Sequence, residues 1–199
     1  ASVITYFLTQ RSEASEPAPV MKAVPIDAAL VAEFPQAWAT LEKLHQEQKV
    51  WNTLAQMEGV AQASQELQTL RSWFGNKASG LLPKKHPVVL SLHNMGKAQM
   101  QYLVMTNIKG KKPQQKFLNA VHSLIGMSNL GSKIYNHVEI FSNREGSPKM
   151  HYTLCQGIFM ASPSVILLEK AIRQLDTNIS VLVSEAFTRV AQTAGKNAD

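Results

Sequence analysis

The stretch KMHYTLCQGIFMASPSVILLEKAIRQL, residues Lys149 to Leu175, decides the fold. Its first part, Lys149 to Ala161, is rich in apolar and aromatic residues at the length of a buried strand, and Gly157 inside it predicts a bulge or bend in a run too long to stay straight. Ser162-Pro163 predicts a helix start, because a serine oxygen accepts from orphan amides while proline supplies a fixed φ at the first helical position. Val165, Leu168, Ala171, Ile172 and Leu175 then recur at helical spacing, and Asp176-Thr177-Asn178 ends the pattern. A strand that runs straight into an amphipathic helix requires a sheet with that helix packed on it.

Working outward, Lys133 to Ser142 (KIYNHVEIFS) reads as the hairpin partner of that strand, joined by the turn residues of Asn143 to Pro148. A second hairpin is predicted from Pro87 to His93 and Met100 to Ile108 around Asn94-Met95-Gly96-Lys97. Phe117, Leu118, Val121, Leu124 and Ile125 form a helical stripe behind Pro113, with Gly126 just beyond it. Toward the N-terminus, Ala28 to Phe34 (AALVAEF) is a buried strand bounded by Pro35. Two amphipathic helices follow, Gln36 to Met57 and Val60 to Phe74, broken at Gly59 and ended by Gly75-Asn76. A last helix spans about Leu182 to Ala194, with Val183, Ala186, Phe187, Val190 and Ala194 inward and Gly195 as its cap. This order gives an α+β fold, a mainly antiparallel sheet built from two hairpins plus an N-terminal strand, with amphipathic helices packed on it. It argues against the doubly wound nucleotide folds.

Composition bounds the class. With 199 residues, 45% apolar, 17% charged and a single Cys155, the chain can build a core, and collagen, disulfide-framework, coiled-coil and wholly disordered classes are excluded. The net charge of +6 and a pI near 9.5 invite a nucleic-acid or anionic-membrane reading. Its densest runs, Lys84-Lys85-His86 and Lys109-Gly110-Lys111-Lys112, are short, flanked by Gly or Pro and free of interleaved aromatics, as solvated turns are. No apolar stretch approaches the ~20 residues needed to cross a bilayer. Residues 1–24 divide from the 25–199 domain: Ala1 to Leu8 (ASVITYFL) is apolar, and Thr9 to Val20 has the Ser/Glu/Pro composition of a tether. The apolar piece reads either as an N-terminal strand or frayed arm, or as the end of a membrane anchor or signal segment. Gly195 to Asp199 is a helix-ending signal rather than a domain edge, consistent with a piece of a longer chain.

Chemistry-bearing residues are sparse. His137 and Glu139 alternate onto one face of the predicted strand, His151 lies across the turn and His93 on the other hairpin, so a metal is conceivable, but neither a His-x3-His helix nor paired cysteines support one. Cys155 is a possible nucleophile with His137 or His151 as base, yet it falls within a strand, where an inert buried thiol is the expectation. No nucleophile elbow, Walker loop or dinucleotide fingerprint occurs, Glu33, Glu42, Glu47 and Glu58 are too separated to pair, and no cofactor is expected. Trp38, Trp51 and Trp73 on two successive helices, with Met95 and Met100 at the first hairpin, are the candidate ligand or partner surface; core packing accounts for the same spacing.

Three passages carry a resemblance: PIDAALVAEFPQAWATL from Pro25, GIFMASPSVILLEKAIRQL from Gly157 and VLVSEAFTRVAQTAGKNAD from Val181. Together they resemble an uncharacterised bacterial cell-envelope family carrying a domain of unknown function. The resemblance covers most of Pro25 to Asp199 and rests on structural punctuation, so no catalytic residue is carried over. It implies a membrane anchor before the domain and an extracytoplasmic setting. The expectation is therefore a non-catalytic, membrane-tethered domain that binds a protein or small ligand. A hydrolase using Cys155 or a His/Glu site is the second reading, and nucleic-acid binding the third.

Overall fold

A computed structural model describes residues 19–34, 87–96, 100–145, 149–177 and 179–194. Among these residues seven strands form one antiparallel sheet: β1 (Ala28–Phe34), β2 (Val88–Asn94), β3 (Met100–Asn107), β4 (Leu130–Tyr135), β5 (Val138–Asn143), β6 (His151–Cys155) and β7 (Ile158–Ser162). Their spatial order is β1-β2-β3-β7-β6-β5-β4, with β1 and β4 outermost. Helix α1 (Lys111–Ile125) follows β3, α2 (Val165–Thr177) follows β7 and α3 (Glu185–Ala194) follows α2. Short 3-10 turns stand at Pro19–Ala23, Met127–Asn129 and Val181–Val183. The α+β class with helices packed on an antiparallel sheet is what the residue pattern predicts.

Five strands were expected and the described residues form seven, because each of the two long C-terminal runs folds back on itself. KIYNHVEIFS breaks at Asn136-His137 into β4 and β5, and the run through Cys155 breaks at Gln156-Gly157 into β6 and β7. Gly157 is thus a turn residue and not a bulge. Both breaks are two-residue turns with positive φ at both positions: Asn136 at 48°, His137 at 61°, Gln156 at 50° and Gly157 at 81°. That backbone matches the right-handed strand twist of a tight hairpin. The helix start is also displaced by two residues. Ser162 ends β7 and donates to the Tyr102 carbonyl at 2.7 Å, while Ser164 caps α2 by accepting from the Leu167 amide at 3.4 Å. At the other end, Val183 is 60% exposed rather than inward, since it belongs to the 3-10 turn before α3.

Side chains alternate between two cores. On one face Val31, Val89, Leu103, Met105, Ile140, Cys155 and Met160 pack against α2, which buries Leu167, Leu168, Ala171, Ile172 and Leu175. The other face carries a single cross-strand row, Ala32, Leu90, Val104, Ala161, Tyr152, Phe141 and Ser132, running through all seven strands. Over its β5–β7 part lies α1, which buries only Phe117 and Val121. Phe117 meets Phe159 edge-on at 4.9 Å, and Phe141 stacks on Tyr152 at 5.5 Å. Such offset and edge-on ring pairs contribute beyond the area they bury. The helices expected over Gln36–Met57 and Val60–Phe74, the segment Ala1 to Ala18 and the Gly195 cap lie outside the described residues.

Candidate functional site

The two tight turns stand at the same end of the sheet, next to the loop that leads into α1. Between α1 and the ends of β5 and β6 is an open depression of about 330 Å³, bordered by Leu118, His137, Val138, Glu139, Phe141, Leu154, Cys155 and Gln156. Local chemistry places these groups. Leu118 joins the inward stripe of α1, and Glu139 and Phe141 alternate with Val138 and Ile140 so that they face α1. Gln114 of α1 donates to the Ile108 carbonyl at 2.8 Å and the Ile108 amide to the Gly157 carbonyl at 2.7 Å, tying the second turn to the start of the helix. A Cβ at residue 157 would meet the Gln114 side chain at 3.1 Å, so that turn position has both a conformational and a steric reason to be glycine.

Two of the other turn positions, His137 and Gln156, contravene their own local preference. A tight turn of this type favours Asn or Asp first and Gly second, whereas here His occupies the second position of one turn and Gln the first of the other. Side chains in the left-handed region are strained. The two residues that bear this strain, His137 and Gln156, both border the depression. Strained backbone of this kind concentrates at binding and switching sites.

One turn of helix beyond Leu118, His122 meets Phe141 edge-on with ring centroids 4.6 Å apart and approaches Tyr152 at 5.9 Å. Burial lowers the pKa of His122, opposed by the Glu139 carboxylate. Among the described residues neither His122 Nε2 nor the Tyr152 hydroxyl has a hydrogen-bond partner, and burial drives the Tyr152 phenol far above its ordinary value. Cys155 alternates to the α2 side and is buried in that core; burial, and then the Asp176 carboxylate, raises its thiol pKa. A protonated thiol is a poor nucleophile. His151, at the far end of β6 about 13 Å from Cys155 at strand rise, bonds Ser142 Oγ at 2.6 Å. Burial, then Lys149 and Lys133, lower its pKa. His137, Glu139 and Cys155 thus border one depression, while His151 and His93 lie elsewhere, and His137 sits in the turn rather than sharing a strand face with Glu139. Among the described residues no three His, Cys, Asp or Glu side chains gather to hold a metal ion.

A second polar group sits on the α2 side of β2. His93 Nε2 lies 2.9 Å from Ser91 Oγ, and its Nδ1 lies 3.3 Å from Asp27 Oδ1. Lys170 of α2 donates to the other carboxylate oxygen at 2.7 Å. Connectivity of this kind, hydroxyl to imidazole to carboxylate, occurs in hydrolytic triads. Here Ser91 and His93 have no exposed surface, and Ser91 lies in mid-strand between Val31 and Leu103. In this conformation no acyl carbon can approach its hydroxyl. The group works as a clamp: His93 and Lys170 hold the Asp27 carboxyl well below its ordinary pKa and so pin the entry to β1 onto β2 and α2.

Of the predicted surface residues, Met95 and Met100 are half-buried at the end of the first hairpin, opposite the two strained turns, and Trp38, Trp51 and Trp73 lie outside the described residues. Sequence reasoning missed Gln156, Leu118 and His122. The missed signal was the pair of two-residue turns, concealed by apolar runs that continue through them. Compared with known proteins, the chain matches no family model, no curated protein and no solved structure.

Proposed function

We propose that this chain is a non-catalytic binding or interaction domain, held outside the cytoplasm by a membrane tether, and that it receives its ligand in the depression beside the two strained turns. The observation that carries the binding site is the coincidence of strain and exposure: His137 and Gln156, whose backbones would be relaxed by glycine, border one opening with Glu139 over Leu118, Phe141 and Leu154. A polar rim over an apolar floor suits a small amphiphilic group, such as the side chain of a partner peptide. The setting rests on the apolar Ala1 to Leu8, the tether composition of Thr9 to Val20 and the resemblance to cell-envelope proteins.

The test is ligand-observed and amide-shift NMR with a library of small neutral amphiphiles. Hits should move the amides of His137, Glu139 and Gln156 and be lost in His137→Gly. Hits that bind the variant unchanged would sink the site. Fractionation of the native cell tests the setting separately: recovery from the cytoplasm contradicts it. The hydrolase reading retains one favourable observation, that His137 and Cys155 border the same opening. Turnover of a p-nitrophenyl ester that disappears in Cys155→Ala would establish it over the binding reading.

A further inference from the structure

The outward face of α1 has a charge arrangement that its own helix does not favour. Lys111, Lys112 and Lys116 lie in its first two turns, all exposed, with Lys109 just before them and no acidic residue in the first turn. Cations are disfavoured at the positive end of a helix, and Lys112 and Lys116, one turn apart, repel each other. Among the described residues none of these lysines meets a carboxylate, in contrast to Lys133 with Glu169 and Lys170 with Asp27 on the α2 side. Along the sequence the acids are set apart from these lysines, although Glu139 on β5 faces α1 beside Ile134. Between Glu66 and Glu139 the chain carries ten of its 20 basic residues and none of its 14 acidic ones. The same side exposes two large apolar residues, Ile134 on β4 at 78% and Met127 just after α1 at 71%.

We propose that this face docks on an anionic lipid bilayer, the lysines meeting headgroup phosphates and the two apolar side chains entering at headgroup depth. An unopposed positive face is attracted to an anionic leaflet, and single apolar residues at its perimeter suit the interface. A lipid surface is favoured over nucleic acid by what the face lacks among the described residues: it exposes no aromatic ring for base stacking, and its cations are lysines rather than the planar forks that read phosphates bidentately. The inference takes from the tethered reading only that a membrane is at hand; the face should bind vesicles whether or not a tether exists.

The experiment is co-sedimentation of the full chain with vesicles of phosphatidylcholine alone and of phosphatidylcholine with 30% phosphatidylglycerol, in low and high salt. A single-stranded oligonucleotide competitor is included. Binding should require phosphatidylglycerol and fall away in high salt. Each lysine near an anionic surface strengthens binding about fivefold, so Lys111→Gln, Lys112→Gln and Lys116→Gln together should weaken it on the order of a hundredfold. Lys170→Gln, on the other face, should leave it unchanged, and thermal melting of the triple variant verifies its fold. Equal binding to both vesicle types, or a triple variant that binds like the parent, overturns the proposal. So does an oligonucleotide that displaces the vesicles at stoichiometric concentration, which would assign the face to nucleic acid. The triple variant retains Ala1 to Leu8, so any insertion of that segment cannot imitate the result, and vesicle binding says nothing for or against the cellular fractionation above.

Discussion

Helices α1 and α2 cover opposite faces of one sheet and are equally amphipathic, yet they are held in different ways. Five fully or nearly buried residues seat α2, and its rim is pinned by Lys133 to Glu169, Lys170 to Asp27 and Arg173 to the Tyr135 hydroxyl. By contrast α1 buries two residues, leaves a histidine nitrogen unpartnered among its aromatic contacts and turns unopposed lysines outward. Helix α2 ties its charged rim to partners, though its Gln174 Oε1 has none among the described residues, whereas α1 leaves its lysines unopposed. The depression with its strained turns and the basic face both belong to the second, which places the candidate interactions where the packing is thinnest.

The sharpest way to break this contrast is truncation in the two cores. Leu168→Ala in α2 should cost about 3 kcal/mol in urea denaturation, and Val121→Ala in α1 about 2, since less volume is removed. Equal or reversed costs would mean that the two helices are equally seated. His137→Gly should raise stability by roughly 0.5–1 kcal/mol while abolishing ligand binding, a trade-off that a merely structural turn would not show.

Acid provides a third test. The folded pKa values of His122 and His151 lie below the ordinary 6.5, so the unfolded chain binds these protons more readily. Their contribution to stability is complete above 6.5 and is lost as pH falls below it. Asp27, depressed from 3.8, keeps its contribution until pH falls below that value. Melting curves should therefore show two separate losses, and His122→Phe should diminish the first while leaving the second intact. The smallest effect is electrostatic. Lys112→Gln should be neutral or stabilise by about 0.3 kcal/mol, because it relieves repulsion, whereas Lys170→Gln should cost up to about 1 kcal/mol by loosening the Asp27 clamp.

Much of this fold was legible in the residues. Ala28–Phe34 has the bounds expected of it, and the first hairpin and the α1 stripe fall within a few residues of theirs. The two missed strand breaks have one cause. A two-residue turn removes so little polar sequence from an apolar run that KIYNHVEIFS and the Cys155 run read as continuous, and the turn types depend on positive φ at His and Gln, which composition does not advertise. The site was illegible for the same reason, since His137 and Gln156 matter as turn residues. The proposed basic face rests on a different kind of signal: each run of lysine by itself reads as a solvated turn, and the proposal draws on the long sequence interval without acids between Glu66 and Glu139. The Asp27, Ser91, His93 and Lys170 clamp joins positions 66 and 143 residues apart and has no local signature.

The outermost position of β4 has a consequence for handling this protein. Among the described residues no strand pairs with its outer rim, so the main-chain donors and acceptors beside Ile134 form a template for a strand from another molecule. Lys133, half-exposed and tethered to Glu169, puts a charge on that rim and acts as a guard against sheets zipping end to end. Concentrated samples should stay dispersed while that guard is ionised and begin to form ribbons once it is acetylated.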